Sequence, residues 1–80
     1  MERLRESGVC VKWTPYGYGF IQPDLVTGRQ SADVFCSYHS LEAIDGVRPR
    51  ALIEGQAVSF EMGRDRDGRV CARSVRVEAD

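Results

Sequence analysis

The sequence predicts a small all-β protein: a closed barrel of five strands with a short helical turn after the third. Three observations carry this. The uninterrupted segments are short, rich in β-branched or aromatic residues, and bounded by Gly, Pro or Asp, which is the punctuation of strands and not of helices. The pair Asp67-Gly68 lies between two such segments, and both residues tolerate the positive φ that a tight hairpin requires. The chain has 80 residues, 42% hydrophobic and 29% charged, enough to build one core but not two.

Taken in order, Gly8 to Trp13 reads as strand one, Tyr18 to Gln22 as strand two and Asp33 to Cys36 as strand three. Pro23-Asp24 ends strand two, and the segment through Thr27-Gly28 to Ser31 is too polar to join a core, so it is a surface loop. The run His39-Ser40-Leu41-Glu42-Ala43 is expected to form a short helical turn capped by Ser40, followed by a loop from Gly46 to Arg50 with Pro49 inside it. Gln56 to Gly63 is strand four and Arg69 to Val77 strand five, joined by a hairpin from Arg64 to Arg69. Five short strands with a helical turn after the third fit a barrel of the oligonucleotide-binding kind. The domain spans residues 8–78, after an N-terminal extension of residues 1–7 and before a tail of residues 79–80.

Composition narrows the function. A net charge of -1 does not suit a protein that holds nucleic acid by bulk electrostatics. Cys10, Cys36 and Cys71 are odd in number and form no CxxC pair, which fits a reduced, intracellular setting, cytoplasmic by default. The start MERLRESG has charges on both sides of Leu4 and no apolar run, so no signal peptide or membrane anchor is read there. Cys10, Cys36, Cys71 and His39 lie on separate elements, unlike the closely spaced ligand pairs of structural zinc sites, so no metal is expected. No arranged acid, base, nucleophile or phosphate loop is visible, so neither catalysis nor a cofactor is expected.

Strand parity supplies a functional hypothesis. If Val34 and Cys36 face inward, Phe35 and Ser37 face outward, and the same parity on strand two turns Tyr18 and Phe20 outward. Three rings on adjacent strands then forgo burial worth about 1.5 to 3 kcal/mol each. A base stacked on such a ring gains roughly 1 to 3 kcal/mol with little sequence preference. Gly17 and Gly19 flank Tyr18 and, lacking Cβ, are expected to let a ligand lie close to the sheet.

These residues resemble a cold-shock domain. Val11-Lys12-Trp13 is similar to the family's VKWF run, Tyr16-Gly17-Tyr18-Gly19-Phe20-Ile21 to its KGFGFI motif, and Asp33-Val34-Phe35-Cys36-Ser37-Tyr38 to its DVFVHF motif. Arg50 to Glu61 follows the family's R-S-L-x-E-G-Q-x-V-x-F-E, and Ala72 to Val75 its closing A-x-x-V. The resemblance covers Gly8 to Val77 in the family's motif order. It implies that Lys12, Trp13, Tyr18, Phe20, Phe35 and Tyr38 contact single-stranded bases and backbone, in RNA or DNA, and that the domain acts as an RNA chaperone or RNA-regulatory module.

The sequence also departs from that pattern. Thr14-Pro15-Tyr16 stand where the family has F-N-x-x-K, the His of the second motif is Ser37, and Val47 to Pro49 contain no ring. Tyr16 and Ser37 occupy the altered positions, and Arg48 and Arg50 in the long loop are placed to reach phosphates. Straight alternation groups Trp13 with Val9 and Val11 on the inner face, so a surface role for Trp13 requires a bulge in strand one. The hairpin Arg64 to Arg69 alternates basic and acidic residues and reads as a solvated turn. The expected partner is single-stranded RNA or DNA bound by a monomeric domain, with no membrane. The competing reading is a protein-interaction barrel within a larger ribonucleoprotein assembly, with weak nucleic-acid binding of its own.

Overall fold

The structure, a computed structural model, describes residues 5–24 and 33–78. The alternating segments form β1 (Glu6–Trp13), β2 (Tyr18–Pro23), β3 (Val34–Ser37), β4 (Ala57–Arg64) and β5 (Val70–Val77), with one 3₁₀ turn at Tyr38–Ser40. They close into a barrel in the order β1-β2-β3-β5-β4, β4 returning to pair with β1. Every pairing is antiparallel except β3 with β5, which meet at the single pair Phe35 and Cys71. The polar loop expected between strands two and three, with Arg29, lies outside the described residues.

Closure buries Phe60, Ile21, Val58, Val75, Cys10 and Cys36 almost completely, with Val34, Leu41, Leu52 and Ala72 around them. Each large apolar side chain withdrawn from water contributes about 1.5–3 kcal/mol. Of the seven aromatic residues, only Phe60 belongs to this core. The barrel is therefore filled by aliphatic residues and small thiols, leaving the remaining rings on its walls. Among the described residues no helix is long and apolar enough to cross a membrane.

Two bulges bend the walls. In β1 the register slips between Cys10 and Lys12, so Val11 is an extra residue and stands 38% exposed. This corrects simple alternation: Gly8 and Cys10 face the interior, and Val9 and Val11 do not form the buried face. In β5 the register slips opposite Ser59 to Glu61, and Ser74 adopts φ +50. Its carbonyl accepts a 2.6 Å hydrogen bond from Arg5 Nη2. The same guanidinium reaches the Ser59 carbonyl at 3.0 Å and Glu61 at 3.5 Å, tying the start of the described chain to β4 and β5.

The helical turn differs from expectation by three residues. It spans Tyr38–Ser40, and its cap is Ser37, whose hydroxyl accepts from the His39 N–H at 3.2 Å. Leu41, expected inside the turn, instead inserts into the core and forms a bridge with Val75. Burying that leucine stops the helix before it can propagate.

Candidate nucleic-acid interface

Antiparallel pairing of β2 with β3 sets Phe20 opposite Phe35 and Tyr18 opposite Ser37, so Tyr18, Phe20 and Phe35 share the face turned away from Ile21, Val34 and Cys36. The three rings touch. Tyr18 and Phe35 are 5.6 Å apart and 31° from parallel, whereas Phe20 meets Phe35 edge-on at 6.1 Å and Tyr18 edge-on at 6.4 Å. Edge-to-face contact of this kind adds about 0.5–1.5 kcal/mol per pair beyond burial. The rings are half-buried and hold one another upright, so the surface is a preformed relief and not a flat plate.

Lys12 is exposed and pairs directly across from Phe20, putting a cation beside the rings. Trp13 lies behind the bulge, opposite Gly19, half-buried and packed against the core. A Cβ at residue 19 would come within 2.5 Å of Trp13 Cε3. The space at Gly19 is thus filled by this protein's own indole, which corrects the expectation that it makes room for a ligand. Gly17 has φ +89, a turn conformation suited to glycine, and a Cβ there would lie 3.0 Å from the Tyr38 ring.

A second group of rings extends from that turn. Tyr38 stacks with His39 at 4.0 Å, and an open hollow of about 410 Å³ is lined by Pro15, Tyr16, Gly17, Tyr38 and Arg50. Tyr16 is 82% exposed. Ser37 holds the 3₁₀ cap, so its hydroxyl is engaged with the backbone. Arg48 faces a separate hollow, one that also touches β5.

One participant escaped sequence reasoning. The guanidinium carbon of Arg69 lies 4.4 Å from the centroid of the Phe35 ring, a cation–π contact. The hairpin tip is therefore not simply a solvated turn. Asp65 holds Arg69 by its side chain at 3.1 Å and its N–H at 2.8 Å, and those bonds, the backbone one first, hold the Asp65 carboxyl below its ordinary value. Parallel pairing of Phe35 with Cys71 brings this hairpin to the rings, a long-range contact that local charge alternation does not signal.

The three cysteines are free and buried. Burial, reinforced by Cys10 and Cys71 nearby, pushes the Cys36 thiol up to about 12; burial also raises Cys10. Among the described residues no group of His, Cys, Asp or Glu is arranged to hold a metal ion.

A closed five-stranded barrel of this topology, with one 3₁₀ turn after the third strand, defines an all-β protein of the oligonucleotide-binding type. No family model matches the chain. "Probable cold shock protein y4cH" of Sinorhizobium fredii (strain NBRC 101917 / NGR234) is 38% identical to it over 68 residues, covering 81% of this chain and 88% of that protein. "Cold shock protein CspA" of Rhizobium meliloti (strain 1021) is 38% identical over 69 residues, covering 82% and 90%. The chain belongs to the cold shock protein family, as a divergent member.

Proposed function

We propose that this protein binds single-stranded nucleic acid, RNA foremost, by stacking bases on Tyr18, Phe20 and Phe35, and that it acts as an RNA chaperone or RNA-regulatory module. The contiguous ring cluster on the outer wall carries this reading, because a sheet that merely needed a core would turn those rings inward. Lys12, Trp13, Tyr16, Ser37, Tyr38, Arg48 and Arg50 complete the interface. Capture of unpaired strands shifts RNA away from secondary structure by binding alone and requires no nucleotide hydrolysis.

The test is a titration of Trp13 fluorescence with short RNA and DNA oligonucleotides. Binding quenches or shifts the emission, and Phe35→Ala weakens binding by roughly tenfold to a hundredfold, the worth of one stacked base, while retaining the barrel's cooperative unfolding. Unchanged affinity in that variant would remove Phe35 from the interface. A second reading, a protein-docking barrel, is favoured by Ile44, Val47 and Ile53, which stand 47%, 70% and 72% exposed on the connection before β4. It predicts no oligonucleotide binding by the wild-type chain.

A further inference from the structure

We propose that the hollow between the 3₁₀ turn and the β5 bulge is a phosphate-binding groove that carries a nucleic-acid strand beyond the stacking rings. The inference rests on the strand-binding reading above and extends it to Arg73, His39, Ser40 and Ser74, with Arg48.

The hollow has a volume of about 460 Å³, and its polar lining comes from His39, Ser40, Glu42, Arg48, Arg73 and Ser74. Glu42 is committed to Arg76 at 2.8 Å. Arg48 and Arg73 are exposed, and among the described residues neither has an ion-pair partner. In a chain whose net charge is -1, this is a local concentration of uncommitted cation. Guanidinium forks, hydroxyls and an imidazole suit phosphodiester oxygens, whereas the groove offers no open ring face for a base.

The geometry is prepared in advance. Gly63 lies under the Arg73 stem, where any Cβ would collide with its methylenes, so the side chain lies flat across β4. Ser74 is held in the left-handed region at φ +50, with its carbonyl pinned by Arg5. A sparsely populated backbone conformation over-determined by its neighbours is a recurrent mark of functional surfaces.

The groove also continues the ring surface. His39 stacks on Tyr38 at 4.0 Å, and Tyr38 lines the adjoining hollow with Tyr16 and Arg50. The two hollows thus share the Tyr38–His39 stack, and one segment, Arg48-Pro49-Arg50, supplies a cation to each. A strand leaving the rings past Tyr38 meets Arg50, then Arg48 and Arg73.

The experiment compares wild type with the double variant Arg48→Gln/Arg73→Gln, using oligonucleotides of about four and about eight nucleotides, lengths bracketing the site of one barrel. Two phosphates released correspond to a salt slope smaller by about 1.4. The expected result is about a tenfold loss for the longer strand, that reduced slope, and unchanged binding of the shorter one. If the longer strand binds the variant as it binds wild type, the groove is overturned and the stacking reading stands. Equal losses for both lengths also overturn it, by assigning the arginines to the rings. If wild type binds neither strand, the stacking reading fails, and inorganic tripolyphosphate decides the groove separately. Amide shifts at Ser40 and Ser74 that vanish in the variant support an anion site there; their absence overturns it.

Discussion

At the scale of single residues, the least expected is Ser74. A non-glycine residue at φ +50 carries a steric cost near the carbonyl that glycine escapes. Ser74→Gly is expected to stabilise the protein by about 0.5–1 kcal/mol, read as a higher urea midpoint with an unchanged m-value; a lower midpoint would mean that the left-handed conformation is not occupied. Cys36 has a different signature. Its thiol rises from an ordinary 9.0 to about 12 because burial opposes the thiolate. Below pH 9 the folded and unfolded chains are both protonated there and the thiol's contribution is complete. Between about 9 and about 12 the unfolded chain binds fewer protons, so stability falls, by at most about 1.4 kcal/mol per pH unit from this group. Urea midpoints across that window should decline less steeply for Cys36→Ala, and equal slopes would contradict the assignment.

At the scale of elements, the β4–β5 hairpin is the piece whose role changed most between sequence and structure. Its Asp67-Gly68 turn is legible because only local backbone chemistry is involved, and Gly68 takes φ +85 as the dipeptide implies. Arg69 over Phe35 is not legible, because it depends on a parallel pairing between strands far apart in the chain. A double-mutant cycle of Arg69→Ala with Phe35→Leu should return a coupling of about 0.5–1 kcal/mol. A coupling near zero would reduce the contact to coincidence. The helical turn fails for the opposite reason. Ser40 looks like a cap in isolation, yet Ser37 takes the role because Leu41 is required in the core and ends the turn. The β1 bulge is intermediate: parity alone misassigns Val9 and Val11, although the position of Trp13 within a resembled motif already demanded one irregularity.

At the scale of the whole molecule, the five strands and their order of appearance were readable from turn residues and strand parity, and the outward set of Tyr18, Phe20 and Phe35 followed from the same alternation. The barrel's closure was not readable in detail, since it depends on which wall each strand adopts and on where bulges relieve curvature. Nor was the role of Arg5, which sits outside the expected domain start and yet joins Ser59, Glu61 and Ser74. The exchange of ring contacts for arginines around the 3₁₀ turn is a whole-molecule property too: Arg48, Arg50 and Arg73 come from a loop and a strand that share no sequence neighbourhood.

The single register pair between β3 and β5 has one more consequence. Phe35 belongs both to that seam and to the ring cluster, so the joint that seals the barrel is also a surface offered to bases. A chain unzipped at this joint presents no assembled rings, and a strand seated on Phe35 acts as a rivet across it. Occupancy and closure are then one equilibrium, in which every gain in affinity at Phe35 is returned as resistance to opening.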